Sequence, residues 1–383
     1  MDWNFLIKNK DSLCVTTDSR KVTPGCVFVA LKGEHFDGNA FVDQARKDGA
    51  EYIISGENAL AELQDLARAW RRELGLPILG ITGTNGKTTT KELCAAVLGT
   101  KYNLYYTQGN LNNQLGVPLT LLNITRAHEM AIVEMGASHP GDIKELVEIA
   151  DPNYGLITNV GKAHLQGFGS FEGVQRTKAE LYDYLRAHGG FCFRNIDNPY
   201  LAQMAGDLQT VPYTTGTMPE GTHLVGGYNA ENVSAAICVG KYFGVPEEVA
   251  LAAIRAYVPS NNRSQFMQTE RNTVVVDAYN ANPTSMQASI NAFKGNCYIL
   301  GAMRELGDYS HLEHQNIVNM LLERKADKVL LVGEEYKETT APYPVFDNVE
   351  ALCEHLQSEP LRGYHILLKG SRSNQLEKVI PLL

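Results

Sequence analysis

The stretch Gly80-Ile-Thr-Gly-Thr-Asn-Gly-Lys-Thr-Thr89 constrains this chain more than any other, because it has the form of a strand-to-helix loop that holds a nucleotide triphosphate. The run Pro77-Ile-Leu-Gly-Ile81 reads as a short buried strand, and residues 87–99 carry apolar side chains at Leu93, Val97 and Leu98, as a helix packed on a sheet would. Gly83 and Gly86 let backbone N–H groups approach phosphate oxygens at the helix N-terminus, with Thr84, Asn85 and Thr89 completing the loop. Lys87 is then placed to reach the terminal phosphates and the Thr88 hydroxyl to ligate Mg²⁺. The strict G-x-x-x-x-G-K-[ST] spacing is not met, since its first position falls on Ile81 and Gly80 sits one residue early. ATP and Mg²⁺ are the cofactors expected; the alternative is a Gly-rich turn followed by an incidental Lys-Thr.

At 383 residues the chain has room for two or three domains, each with its own core. A net charge of -9 disfavours a general nucleic-acid or acidic-membrane surface, so anions must be held by local clusters and helix N-termini. The start, Met1-Asp-Trp-Asn-Phe5, has no basic n-region or apolar h-region, and no run approaches the ~18 apolar residues of a membrane span. A soluble cytoplasmic protein is expected. The seven cysteines are scattered singly without a C-x-x-C, which suits reduced, mostly buried thiols better than disulfides or zinc.

Residues 1–75 mix short apolar runs, Cys26–Leu31 and Tyr52–Ile54, with polar turns and end in a helix over Ala59–Leu74. Gly75-Leu-Pro77 marks a boundary. Strand and helix then alternate: strands at Ile78–Ile81, Met130–Val133, Tyr154–Thr158 and Gly190–Phe193, helices over residues 141–150 and 171–185, and a closing helix over residues 229–243. This pattern predicts a mostly parallel sheet covered on both faces, within a second domain over residues 76–258. In residues 259–383 four apolar strands run into polar tips: Val274–Asp277 into Ala-Tyr-Asn-Ala-Asn-Pro283, Tyr298–Leu300 into Gly-Ala-Met-Arg-Glu-Leu-Gly307, Val329–Val332 into Gly-Glu-Glu335, and Ile366–Leu368 into Lys-Gly-Ser-Arg-Ser373. Ligands of open α/β sheets bind beyond the carboxyl ends of the strands, so these tips form a second ligand-facing edge. The fold class is α/β in three domains.

Three residues follow the loop with metal or catalytic chemistry in reach. Glu134 leaves the strand Met130–Val133 where a carboxylate can face a metal, with a strand-end acid in solvent as the lesser alternative. His164, in Asn159-Val-Gly-Lys-Ala-His164, can reach the same metal as a neutral imidazole, though a loop histidine is often plain surface. Helical periodicity alone puts Lys178 on an exposed face.

Thr17-Asp-Ser-Arg20, Asp37-Gly-Asn39, the nucleotide loop, Gly109-Asn-Leu-Asn-Asn-Gln-Leu-Gly-Val-Pro118, Val133-Glu-Met-Gly-Ala-Ser-His-Pro140, Tyr279-Asn-Ala-Asn-Pro283 and Leu368-Lys-Gly-Ser-Arg372, in collinear order over nearly the whole chain, resemble the Mur ligases. The resemblance implies a small UDP-sugar-binding domain, a central P-loop ATPase and a C-terminal Rossmann-like domain. It implies an ADP-forming amide ligase of peptidoglycan precursor synthesis, acting as a monomer on UDP-N-acetylmuramoyl-tripeptide and D-Ala-D-Ala. By the same resemblance Ser19 and Arg20 contact the uridine diphosphate, and Lys87 and Thr88 hold phosphates and Mg²⁺. Glu134 and His164 ligate metal, and Lys178 matches a lysine carbamylated by CO₂, which makes it a third metal ligand. Lys87, His164 and Lys178 form the implied catalytic set. Asn229 and Asn232 match adenine-side asparagines, with Tyr228 where a histidine is common, and Arg263 matches an arginine reaching the nucleotide from the third domain. Asn280, Asn282, Lys369, Ser371 and Arg372 fall where the dipeptide and nucleotide edges meet, and Asn39 replaces a frequent histidine.

One departure is large: only a few residues separate Tyr213–Thr217 from His223–Gly227, where such proteins carry some tens more, largely β-strand. The rival readings are another amide ligase of the superfamily, adding the third residue or resembling a folylpolyglutamate synthetase, and a nucleotide-binding regulator without catalysis. Against the first stands the absence of an Asp-Asn-Pro-Arg motif in the third domain, since Asp197-Asn-Pro-Tyr200 lies in the second and lacks the arginine.

Overall fold

Short runs rich in Val, Ile and Leu, each bounded by turn residues, form fifteen strands in three sheets in the computed structural model, which describes residues 2–34, 36–259 and 263–383. The first sheet is parallel and holds β1 (Val15–Thr16), β2 (Val27–Val29) and β3 (Tyr52–Ile54) in that order. The second holds β4 (Ile78–Thr82), β5 (Leu104–Tyr106), β6 (Met130–Glu134), β7 (Tyr154–Ile157), β8 (Phe191–Asn195) and β9 (Thr210–Tyr213). All its pairs are parallel, in the order β5-β6-β4-β7-β8-β9. The third holds β10 (Gln265–Gln268), β11 (Thr273–Asp277), β12 (Cys297–Gly301), β13 (Lys328–Val332), β14 (Val345–Phe346) and β15 (His365–Lys369). Its order is β10-β11-β15-β12-β13-β14, and only the β10–β11 pair is antiparallel.

Register decides what faces the nucleotide loop. β4 lies between β6 and β7 with Ile81 opposite Glu134 and Thr82 opposite Ile157, so the loop leaving β4 emerges between the tips of its two neighbours. In the third sheet Asp277 pairs with Lys369, bringing the tips of β11 and β15 together in the same way. Between β9 and the helix Asn229–Tyr242 the chain passes through residues 214–228 without a strand, so no accessory sheet is present there among the described residues.

The cores are distributed unevenly. One continuous apolar cluster runs from Trp3, Val27, Val29 and Ile54 of the first sheet through Leu63, Leu66 and Trp70 into Val117, Ala131, Val133 and Leu146 beside the second. The first unit therefore shares this core, while Phe28, Ala30 and Ala45 form a small cluster of its own. The helix Ala59–Leu74 is the joint: Trp70 Nε1 donates to the Ile124 carbonyl at 2.9 Å, and the Arg71 guanidinium donates to the carbonyls of Ala150 and Asp151 at 3.1 and 2.8 Å. Clusters on the two faces of the third sheet belong to residues 267–383 alone, apart from the half-buried Val225.

The reduced-thiol expectation is corrected at one pair, because Cys14 and Cys26 are joined in a disulfide. They precede β1 and β2, whose parallel register sets Val15 opposite Val27 and so places the two cysteines side by side. The other five cysteines are free. No helix among the described residues is long and apolar enough to cross a membrane.

Candidate active site

The loop between β4 and the helix Lys87–Leu98 is held from behind by the tip of β7. The Asn85 N–H donates to Asn159 Oδ1 at 3.0 Å, the Thr158 hydroxyl donates to the Asn85 carbonyl at 2.6 Å, and the Thr84 N–H donates to the Asn159 carbonyl at 3.0 Å. Two positions require glycine. Gly83 has φ +141°, and a Cβ there would lie 2.0 Å from Thr158 Oγ1; Gly86 has φ +78°, and a Cβ there would lie 2.4 Å from Asn232 Oδ1. The half-buried Lys87 ammonium donates to the carbonyls of Gly83 and Thr84 at 2.8 and 3.1 Å, curled over the loop it serves. Burial pulls its pKa below the ordinary lysine value, opposed by the charge of Glu134 and aided by Arg263.

Glu134, at the end of β6, is 1% exposed. Its Oε1 accepts from the Thr88 hydroxyl at 3.2 Å and from Asn112 Nδ2 at 2.8 Å, and its N–H donates to Thr107 Oγ1 at 3.0 Å. Its Oε2 is buried without any hydrogen-bond partner. A buried carboxylate oxygen left free beside a threonine hydroxyl is the donor set that a hard divalent cation takes, so these residues fit Mg²⁺.

Lys178 is only 2% exposed, which corrects the surface placement that periodicity suggested. Its helix, Phe171–His188, packs against the helix Asp142–Ala150, and Glu180 ties the two by accepting from the Gly141 and Lys144 N–H groups at 2.9 and 2.7 Å. The Lys178 ammonium lies 5.6 Å from the centre of the Phe168 ring. Burial, and after it the charge of Lys87, hold its pKa well below the lysine range, against the opposing carboxylates of Asp142 and Glu180.

His164 caps the short helix Leu165–Phe168 with φ +49°, and its Nδ1 meets the Glu305 carboxylate from the third sheet's side. Burial lowers its pKa and Glu305 raises it, with Lys87 and Lys178 lowering it further. A carboxylate on one ring nitrogen fixes the orientation of the other, the usual arrangement behind a histidine ligand.

Asn229 and Asn232 open the helix Asn229–Tyr242 and are buried. Asn229 Nδ2 donates to the Val225 carbonyl at 2.7 Å, Asn232 Nδ2 donates to Asn229 Oδ1 at 2.9 Å, and the Thr90 hydroxyl donates to Asn232 Oδ1 at 3.0 Å. The Arg263 guanidinium stacks 3.7 Å from the centre of the Tyr279 ring, whose centre also lies 5.8 Å from Arg372.

A cavity of about 670 Å³ gathers most of these groups: Thr84, Asn85, Gly86, Lys87, Thr88 and Thr89 of the loop, with Glu134, His164, Asn229, Asn232, Arg263, Asn280 and Lys369. A smaller one of about 230 Å³ is lined by His164, Asn280, Asn282, Ser371 and Arg372. Lys178 and Gly83 line neither. Asn282 caps the helix Pro283–Ala292 by accepting from the Ser285 N–H at 2.9 Å, and its Nδ2 donates to Asn85 Oδ1 at 2.8 Å, an amide pair between the nucleotide loop and the third sheet. Ser371 is buried with a free hydroxyl. Ser19 and Arg20 lie apart from both cavities in an exposed turn after β1, where Arg20 bonds Asp18 through Nε and Nη2, each at 2.8 Å, and draws the Asp18 carboxyl down to about 2. Asn39 donates to Asp37 at 2.7 Å and accepts from the Gly56 N–H at 3.0 Å.

Four participants were not singled out from sequence. Asn112 holds Glu134, Asn159 holds the loop, Glu305 holds His164, and Asp277 accepts from the buried Lys369 ammonium at 2.6 Å. Each sits in a segment already quoted, at a strand tip or loop, but its partner is remote in sequence.

Three family models match in chain order: "Mur ligase family, catalytic domain" over residues 13–93, "Mur ligase middle domain" over 81–222 and "Mur ligase, glutamate ligase domain" over 262–372. The UDP-N-acetylmuramoyl-tripeptide–D-alanyl-D-alanine ligase of Bacillus subtilis is 33% identical over 423 positions, covering 96% of this chain and 92% of the relative. The Escherichia coli protein of the same name is 32% identical, covering 96% and 93%. Both alignments are longer than this chain, so these relatives carry residues it lacks. Among solved structures, the MurF ligase of Thermotoga maritima in complex with ADP superposes with a TM-score of 0.87 at 28% identity, covering 98% of each chain, and MurF of Acinetobacter baumannii with 0.83 at 28%. With all three domain models matched and a third of its residues shared with full-length relatives, this chain belongs to the Mur ligase family.

Proposed function

We propose that this chain joins D-Ala-D-Ala to UDP-N-acetylmuramoyl-tripeptide, using ATP and releasing ADP and phosphate, in peptidoglycan precursor synthesis. The observation that carries this reading is the convergence of the nucleotide loop, Glu134 and the tips of β11 and β15 on one cavity whose volume, about 670 Å³, suits a nucleotide beside a reacting carboxylate.

In this reading a carboxylate oxygen of the tripeptide attacks the γ-phosphorus and ADP leaves. The dipeptide amine then attacks the acyl phosphate carbon, and the tetrahedral intermediate expels inorganic phosphate as the amide forms. The loop N–H groups and Lys87 receive the β- and γ-phosphates, Asn229 and Asn232 border the adenine, and Arg263, held flat on Tyr279, reaches the phosphates from the third domain. Thr88 and Glu134 hold Mg²⁺, which neutralises charge on the transferring phosphoryl group when bound. His164, oriented by Glu305, and Lys178, once carbamylated, would hold a second ion. Ser19 and Arg20 bind the uridine diphosphate, and Asn280, Asn282, Lys369, Ser371 and Arg372 border the dipeptide. Orienting three ligands is worth roughly 7–11 kcal/mol in well-aligned systems, so much of the rate comes from positioning them as residues 259–383 close on the rest of the chain on each turnover. A cytoplasmic monomer with no nucleic-acid partner completes the proposal.

Phosphate release is expected only when ATP, the UDP-linked tripeptide and D-Ala-D-Ala are all present. Equal release with D-Ala alone, or with free diaminopimelate, would exclude the dipeptide as acceptor. Release without any acceptor would point to a plain nucleotidase.

A further inference from the structure

One charged group in the core of the second sheet has no part in the scheme above. Lys91 follows Lys87 by one helical turn and is fully buried, with 0% exposure. Its ammonium donates to the Thr107 carbonyl at 2.6 Å, lies 3.1 Å from the partly exposed Glu92 carboxylate and sits 5.6 Å from the centre of the Tyr106 ring. Glu134 Oε2 is 3.9 Å away, within electrostatic reach but beyond a hydrogen bond. The same Thr107 whose carbonyl accepts from the Lys91 ammonium also accepts the Glu134 backbone N–H on its hydroxyl, so one residue ties both positions. Thr88 and Asn112 occupy Oε1, while Oε2 has an attractive charge and no bond.

We propose that Lys91 is a positioning residue, the resident counter-ion of Glu134: it balances the carboxylate in the empty site and sets the cation affinity of Glu134 low until nucleotide phosphates add their charge. This rests on the reading of Glu134 as a metal ligand. An isolated buried carboxylate is costly and takes up whatever cation or proton is offered. Glu92 shares the Lys91 ammonium and Lys87 adds a second positive charge toward Glu134, so a divalent ion arriving alone meets fixed positive charge a few ångströms behind its ligand. A cation carried by ATP brings phosphate oxygens that outweigh that repulsion. The site thereby favours the metal–nucleotide complex over free metal.

Mn²⁺ binding to the full-length protein, followed by electron paramagnetic resonance with and without a non-hydrolysable ATP analogue, tests this. Lys91→Gln keeps a donor for the Thr107 carbonyl while removing the charge. It is expected to tighten nucleotide-free Mn²⁺ binding by about tenfold or more, and so to narrow the difference that nucleotide makes. In a Glu134→Gln background the same change should have no effect. Unchanged or weaker Mn²⁺ binding in Lys91→Gln, or equal tightening without the Glu134 carboxylate, overturns the proposal. Loss of the native fold in both Lys91→Gln and Lys91→Met also overturns it, assigning Lys91 to the core. Glu134→Gln alone tests the underlying reading separately: it should weaken Mn²⁺ binding in the presence of the analogue, and if it does not, Glu134 is no ligand.

Discussion

Lys87→Ala is expected to lower ligase turnover by about 10²–10³-fold, the scale on which enzymes lose rate when one group stabilising transition-state charge is removed. The ammonium is already drawn over the loop by the carbonyls of Gly83 and Thr84, so its stem needs little reorganisation to meet phosphate oxygens. Burial lowers its pKa, and bound phosphates would offset that effect with their negative charge. Ser19 and Arg20 lie in an exposed turn outside both cavities, so affinity for the UDP-linked tripeptide should stay close to that of the unmodified protein. Isothermal calorimetry separates the two effects. A parallel fall in tripeptide affinity would mean that nucleotide and UDP-sugar share a site.

Lys178→Ala is expected to lose activity by about 100-fold, as supporting groups of metal sites do, and to regain part of it with a short carboxylic acid at high concentration. An ordinary lysine, near ~10.4, has well under 1% free amine at neutral pH and captures CO₂ poorly. Burial, and after it the charge of Lys87, lowers the Lys178 pKa and so raises its share of free amine. The sign has a consequence for stability. The folded protein binds less proton at Lys178 than the unfolded chain, so this group favours unfolding below its folded-state pKa and does so less as pH climbs toward the ordinary lysine value. Carbamylation removes the cost at neutral pH, and bicarbonate should therefore raise the melting temperature of the wild type and not of Lys178→Ala. A fully active alanine variant, or bicarbonate acting equally on both, would return Lys178 to a structural role.

What could be read from sequence was whatever repeats locally. The strands of the second and third sheets fall where apolar runs meet polar tips, and the helix Ala59–Leu74 falls where its periodicity begins and Gly75 ends it. The nucleotide loop was legible because its glycines, lysine and threonine act within ten residues. Burial imposed by a second layer was not. Lys178 sits on a face that period alone leaves open, and Phe168 and the neighbouring packing bury it. Lys91 looks like a polar helix position until Tyr106 and Thr107 close over it. His164 finds Glu305 across 141 residues, and Cys14 meets Cys26 through a strand register that no motif announces.

The uneven distribution of the cores divides the molecule's cohesion differently from its sheets. One apolar interior running from Trp3 to Leu208 spans the first and second sheets, sealed at Trp70 and Arg71, and a separate cluster covers the second sheet's other face. The third sheet meets them mainly through polar contacts: Asn85 with Asn282, Lys162 with Glu313 at 2.8 Å, His164 with Glu305, and Tyr228 with Ser264 at 2.7 Å. Interfaces of that kind exchange bonds with water at little net cost, whereas splitting an apolar interior does not. Melting should accordingly proceed in two cooperative blocks, visible as two calorimetric transitions rather than one or three, and the same seam gives the C-terminal block its freedom to swing while the other two sheets move as one body.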